Sequence, residues 1–253
     1  RDVSYRQAQW SFDGSYIAFI EADQTKVRKR SMLVPSDPSY PGIREQKFAR
    51  VGEHIGSLRV GIVDREGSDL KWLPIETPSE GYYLGMVDWV ENSNELLVER
   101  LSRGRDKREF FLASSDGKLK RIFSESDPAW VVASQGKNSG LVWIRDGKEF
   151  IVISEKDGWR HAYLYSRQGK EIALLTPGDY DIIEGSAVDE GDGWYYFYAS
   201  PQNATEKYLY RVPLEGGGLL ERITPPDQAG THSYDFSNNR KYAFHTHSTF
   251  DRP

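Results

Sequence analysis

The sequence predicts an all-β chain, a partial β-propeller of about four blades plus a fragment of a larger one. Three observations point there. The chain carries 7 Trp, 15 Tyr and 11 Phe on an otherwise polar background (mean hydropathy −0.65), which suits half-buried pleated strands. Pairs of an acidic or polar residue with glycine close short aromatic runs at intervals of 50, 52 and 47 residues. Between these markers no stretch keeps a helical apolar period. A β-sandwich, or two stacked β-domains, is the alternative that could also use so many short strands; the even glycine spacing favours blades.

Each repeat has the same parts. Glu66-Gly67 follows Arg59–Val63, Asp116-Gly117 follows Glu109–Leu112, Gln168-Gly169 follows His161–Tyr165, and Glu215-Gly216 follows Lys207–Val212. Gly67, Gly117, Gly169 and Gly216 are therefore expected in equivalent hairpin turns, where positive φ costs glycine nothing. A second series runs in step. Asp13-Gly14 precedes Tyr16–Ile20, Asn92-Ser93-Asn94 precedes Leu96–Val98, Asp146-Gly147 precedes Phe150–Ile153, Asp192-Gly193 precedes Trp194–Tyr198, and Asn238-Asn239 precedes Tyr242–Phe244. These near-continuous apolar runs read as strands buried on both faces. A third run follows each first-series glycine: Leu70–Thr77, Leu119–Phe123, Ile172–Thr176 and Leu219–Thr224. The blades centre on the Trp10, Trp89, Trp143 and Trp194 segments, and a fifth begins at Phe236. Trp10, Trp89 and Trp143 are expected to be largely buried between sheets. The first repeat carries roughly 25 to 30 extra residues, at about 26–54, with Pro35, Pro38 and Pro41; this is expected to be an extended, solvent-facing insertion.

Composition excludes several classes. Lys plus Arg is 33 and Asp plus Glu is 38, a net charge of −5, against the basic patch a nucleic-acid binder needs. No window approaches the roughly 18 apolar residues of a membrane span. No basic-then-apolar leader stands at Arg1, so any targeting signal is expected to be removed or to lie outside the chain. With no cysteine there is no disulfide, thiolate metal site or cysteine nucleophile. Neither Gly-x-Ser-x-Gly nor a Gly-rich phosphate loop occurs. His245-x-His247 would point two imidazoles to one strand face, as a metal pair could require, but no third histidine lies close in sequence; two polar positions on one face is the plainer reading. The acidic stretch Asp179-Tyr180-Asp181, Glu184, Asp189, Glu190 and Asp192 lacks the ligand spacing of a calcium loop and reads as a solvated connection. Asn203-Ala204-Thr205 is a formal glycosylation sequon and equally a turn. Carboxylates paired for glycoside hydrolysis remain an open alternative.

Four segments carry a family resemblance. Asp157-Gly158-Trp159-Arg160-His161-Ala162-Tyr163-Leu164-Tyr165 followed by Leu175-Thr176-Pro177-Gly178-Asp179-Tyr180-Asp181 resembles the blade signature of the dipeptidyl peptidase IV propeller. Ser126-Asp127-Pro128-Ala129-Trp130-Val131 is similar to the element preceding it in that family. Phe48-Ala49-Arg50-Val51-Gly52, leading into Leu58–Val63, resembles the family's Tyr-Pro-Lys-Ala-Gly stretch, and Trp10-Ser11-Phe12-Asp13-Gly14 its Trp-Ser-Pro-Asp-Gly strand. The resemblance runs nearly end to end. Ala49, Ile55-Gly56 and Phe12 depart from it, all in turns, which bears on subfamily and substrate and leaves the fold untouched.

The resemblance implies an eight-bladed propeller capping an α/β-hydrolase peptidase domain of the prolyl oligopeptidase clan. The chain 1–253 would be a fragment of that propeller, and the peptidase domain, with its catalytic Ser, Asp and His, is expected after Pro253. The expected role is substrate gating and docking in a serine exopeptidase that releases N-terminal dipeptides. A non-catalytic scaffold propeller and a propeller glycosidase are the alternatives. No catalytic residue, metal ligand or cofactor is assigned within the chain, which alone is expected to hydrolyse nothing. Trp130 resembles a family position near the substrate cavity and is the substrate-channel candidate, with blade packing as the competing reading. Peptide substrates and the hydrolase domain are the expected partners, along with self-association. The family's bacterial members are commonly exported, so a periplasmic or extracellular location is expected. His161 is expected to be hydrogen-bonded inside a blade, sharing a strand face with Trp159.

Overall fold

A computed structural model describes residues 2–35, 39–91, 93–132 and 140–252. Pro38 and Asn92, which the sequence places in an insertion and a turn, lie outside the described residues, as do Arg1 and Pro253. Among the described residues every regular element is a strand: β1 Val3–Trp10, β2 Tyr16–Asp23, β3 Lys29–Val34, β4 Gly42–Lys47, β5 Ser57–Asp64, β6 Leu70–Trp72, β7 Tyr82–Trp89, β8 Glu95–Ser102, β9 Lys107–Ser114 and β10 Leu119–Ser126. They continue as β11 Leu141–Ile144, β12 Glu149–Ser154, β13 His161–Ser166, β14 Glu171–Leu174, β15 Ile182–Asp189, β16 Trp194–Ala199, β17 Tyr208–Pro213, β18 Glu221–Arg222, β19 Thr231–Phe236 and β20 Ala243–Ser248. Four sheets have four strands each, in the orders β1-β2-β5-β6, β10-β9-β8-β7, β11-β12-β13-β14 and β15-β16-β17-β18; β19-β20 and β3-β4 are two-stranded.

Successive antiparallel hairpins of this kind are propeller blades, and the hairpin glycines show why the chain can make them. Gly67, Gly117, Gly169 and Gly216 occupy the four hairpins that lead into β6, β10, β14 and β18, with φ of 75°, 86°, 88° and 75°. Such values cost a residue with a Cβ roughly 1–2 kcal/mol. The runs expected to be buried on both faces are so: every residue of β12 from Phe150 to Ser154 and of β16 from Tyr195 to Ala199 is buried. The last strands are shorter than their apolar runs suggest. β18 holds only two residues, because Gly216-Gly217-Gly218 lengthens the preceding turn and leaves Leu219 exposed.

The chain divides into two compact units, Arg1–Trp89, Ser93–Arg105 and Phe110–Lys120 against Val90–Asn92, Asp106–Glu109 and Arg121–Pro253. The first has a core of Ile20, Val60, Ile62, Tyr82, Trp89, Leu96 and Val98. Between its paired strands β2 and β5 the chain makes the exposed hairpin β3–β4. The second unit's core joins Ile151, Leu164, Leu175, Ile182, Phe197 and Tyr210.

The tryptophans correct the sequence reading. Trp89 is 4 % exposed, with its ring 6.4 Å from that of Tyr16 and its Nε1 donating to Gln9 O at 3.1 Å. Trp10, at the same place in its repeat, is 57 % exposed and makes no ring contact among the described residues. β1 pairs only with β2, and its side chains are almost all exposed. Strand position alone does not bury a ring; a covering sheet must supply the apolar partner. Trp143 is half-buried, edge-on to Phe150 at 5.3 Å. Trp159 sits in the bend before β13 and is exposed, so it does not share a strand face with the buried His161.

Candidate functional site

Within the second unit, the connection from β10 to β11 starts with a turn made by its own sequence. The Asp127 carboxylate accepts from the backbone N–H of Ala129 at 2.7 Å and of Trp130 at 3.1 Å, and Pro128 between them fixes φ. Val131 is buried and pins the turn, while Trp130 stands up from it 52 % exposed. The indole borders an open cleft lined also by Glu125, Asp127, Ser154, Glu155, Lys156 and Arg160.

Glu125, in the wall of the cleft, belongs to a buried ion pair. Arg108 on β9 has a side chain 1 % exposed, and its Nη1 donates to Glu125 Oε1 at 3.2 Å and to Ile153 O at 3.1 Å. Ser154 Oγ donates to the other oxygen of Glu125. One guanidinium thereby ties β9, β10 and β12 together. A pair so deeply buried becomes costly as soon as either partner is removed. The rim is polar. Burial pushes the Glu155 carboxyl up, opposed by Arg160 and reinforced by the negative charges of Asp181, Glu125 and Asp127. The Arg160 N–H donates to Asp181 Oδ1 at 2.7 Å, while its Nε is buried without a partner. Lys156 turns away to Glu171 and to Tyr165 OH at 2.8 Å. The cleft thus offers an aromatic face, a carboxyl whose pKa burial raises and a guanidinium N–H without a partner.

The arrangement is not that of a nucleophile. His161, buried as expected, donates from Nδ1 to Asp157 Oδ2 at 3.0 Å, and its Nε2 meets Gly178 O at 3.1 Å. That Asp–His couple orients a ring, but the nitrogen a serine would need is spent on a carbonyl. Among the described residues no serine hydroxyl bonds a histidine.

Three features escaped sequence reasoning. Arg108 lies in the polar stretch just ahead of the apolar run Phe110–Ala113, and nothing in the sequence marks it as the buried partner of Glu125. Thr176 and Thr224 close the third runs; their hydroxyls accept from Ala162 N at 3.0 Å and Leu209 N at 2.9 Å. The third histidine near His245 and His247 is His232, brought opposite His247 by the hairpin register.

The sequence profile described as "Dipeptidyl peptidase IV (DPP IV) N-terminal region" matches residues 4–253. The probable dipeptidyl-aminopeptidase B of Coccidioides posadasii (strain C735) is 28% identical over 256 residues, covering 92% of this chain and 28% of that protein. Its counterpart from Emericella nidulans is 29% identical over 261 residues, with the same coverage of 92% and 28%. The chain therefore spans about 28% of the length of these curated relatives. Among solved structures, the dipeptidyl peptidase 4 of Porphyromonas gingivalis matches with a TM-score of 0.83 at 22% identity, over 95% of this chain and 33% of its own. A putative dipeptidyl aminopeptidase IV from Bacteroides ovatus gives 0.80 at 17% identity, over 98% and 39%. These likenesses show the fold, a partial propeller.

Proposed function

Because the chain belongs to the dipeptidyl peptidase IV N-terminal region family, we propose that it is the substrate-gating and docking part of a serine exopeptidase that releases N-terminal dipeptides from peptides. The proposal includes an α/β-hydrolase peptidase domain after Pro253, a complete propeller of eight blades, a periplasmic or extracellular location and self-association of the parent. Residues 26–54 are an insertion on the first blade. The observation that carries the reading is the cleft beneath Trp130. An exposed indole held by a capped turn borders a cleft that Glu125 of the buried ion pair also lines, which suits a docking surface, and among the described residues no serine–histidine couple is bonded there.

Steady-state kinetics of the full-length parent test it. Trp130→Ala should raise KM for a peptide of about ten residues by roughly tenfold, the loss expected of an aromatic anchor. The kcat for a dipeptidyl chromogenic amide should stay unchanged. Equal kinetics on both substrates, or a loss common to both, would sink the docking role. The isolated chain should neither turn over such an amide nor be labelled by an organophosphonate serine probe, since the groups that build an oxyanion hole and an activated serine lie elsewhere in the parent.

A further inference from the structure

His232, His245 and His247 meet on the β19–β20 hairpin, where the register sets His232 opposite His247 and Tyr234 opposite His245. His232 is fully buried. Its ring lies 4.4 Å from that of His247 at 6° between planes, and His245 stacks on Tyr234 at 4.3 Å and 7°. His232 and His245 meet differently, nitrogen to nitrogen: Nδ1 and Nε2 are 2.8 Å apart with the ring centres at 5.1 Å. Two five-membered rings reach that pair of distances only by pointing at each other nearly in line. A metal ion held between two imidazoles needs about 2 Å to each nitrogen, so this spacing fits a shared proton and no ion.

The tautomers follow from the partners. His232 Nε2 faces Gln228 O at 3.2 Å and His247 Nε2 faces Ala229 O at 2.7 Å; a carbonyl only accepts, so both nitrogens carry hydrogen. His232 Nδ1 is then bare in the neutral ring and accepts from His245 Nε2–H. Both imidazole-to-carbonyl bonds end on the turn between β18 and β19. The Gln228 carbonyl also accepts from Arg222 Nη2 at 3.3 Å, and that guanidinium lies 3.6 Å over the Tyr208 ring. Around the cluster the facing groups are thus Arg222, the phenols of Tyr208 and Tyr234, and the rings themselves. The Tyr208 hydroxyl donates to Glu206, and Asp227 lies in the turn itself. Among the described residues no carboxylate pairs with any of the three imidazoles.

We propose that His232, His245 and His247 form an acid-sensitive latch, holding the 225–230 turn on the β19–β20 hairpin while neutral and releasing it once a second imidazole takes a proton. Stacked rings beside a guanidinium, with no carboxylate to offset them, resist each added charge. Burial, then the charges of His247 and His245, hold His232 below the ordinary histidine value; burial and His247 do the same for His245. The released form therefore binds protons more tightly than the latched one. The stabilisation is complete above the ordinary value of about 6.5 and is lost as pH falls below it.

Hydrogen exchange read by mass spectrometry on the full-length protein, with rates corrected for intrinsic pH dependence, tests the latch. From pH 7.5 to 5.5 the backbone of 225–236 should lose about tenfold in protection, one pH unit of proton linkage being a factor of ten. Segment 161–166 serves as the internal control and should hold its protection. The doubly substituted His245→Gln, His247→Gln protein keeps both side-chain donors and leaves His232 as the one titratable ring of the cluster; its 225–236 protection should match the parent at pH 7.5 and fall by no more than half the parent's loss at pH 5.5. A flat response in the parent overturns the proposal, as does an equal loss in the substituted protein. If the double substitution fails to fold, His247→Gln alone decides, because it removes the closest stacked charge and should at least halve the loss.

Discussion

The sheets β11–β14 and β15–β18 follow one backbone plan and differ in who guards it. In each, a fully buried threonine ends the third run: Thr176 accepts from Ala162 N and Thr224 from Leu209 N. Each is followed by a proline, Pro177 or Pro225, and in each the residue before it (Leu175, Ile223) donates its N–H back to the third strand, to Ala162 O or Leu209 O at 2.9 Å. The threonine hydroxyl stands in for a ladder bond where the fourth strand leaves the sheet. Past that point the sheets part. The turn after β14 is tied by His161, from the third strand of the same sheet, with Asp157 as its carboxylate partner. The turn after β18 is tied by His232, from beyond the turn, with another histidine as partner. Repetition fixes how the backbone is satisfied. Which side chain anchors the outer turn is free to vary, and with it the response to acid.

The glycines test how far the shared plan extends. Gly169 and Gly216 have equivalent positive-φ turns, but a Cβ at Gly169 would lie 2.0 Å from Ile122 O, and one at Gly216 2.9 Å from the Ala173 Cβ. Backbone cannot move aside as a side chain can. Gly169→Ala should therefore cost about 3 kcal/mol or more, a conformational penalty of 1–2 plus an overpacking cost of similar size. Gly216→Ala should cost about 2 kcal/mol. Protection of the β13 and β17 amides, followed by native-state exchange, gives both numbers; equal losses would show that the two hairpins seat alike and break the distinction. Next in size, Thr176→Val and Thr224→Val each leave a buried N–H without an acceptor, a loss of about 1–3 kcal/mol. Because the two bonds differ by 0.1 Å in length, the two costs should agree within about 0.5 kcal/mol. Unequal losses would mean the threonines are not equivalent supports.

Much of the plan was legible because glycine announces itself. Gly67 through Gly216 mark positive φ by residue type alone, and their spacing follows. Thr176 and Thr224 were not legible: threonine is an ordinary strand residue, and nothing in the string says its hydroxyl has turned back on the backbone. His232 was hidden by distance along the chain, since the register that sets it opposite His247 depends on where the 237–242 turn closes. Trp10 and Trp89 look alike in sequence because burial is decided by the neighbouring sheet. The cleft was legible only at Trp130, through a resemblance; its buried Arg108–Glu125 pair joins strands 17 residues apart and needed the fold.

The smallest predicted effect asks whether the carboxylate is what sets the two outer turns apart. Asp157 feels burial, which would raise its pKa, but hydrogen bonds from His161 and its neighbours outweigh this and hold the carboxyl below its usual range. A depressed carboxylate contributes stability that is present above about pH 4 and is lost as pH falls through the folded-state value. Between pH 7.5 and 5.5 it stays charged, so the turn at 177–181 should keep its protection. Asp157→Asn removes the anion and keeps a side chain able to hydrogen-bond Nδ1. Losing the charge-assisted bond that orients the buried His161 should lower protection of the turn by a few-fold at both pH values. Exchange of 177–181 in the Asp157→Asn protein at the two pH values measures it. Should that turn keep the parent's protection, the carboxylate is not the reason the two sheets differ, and the geometry of the tie itself must be.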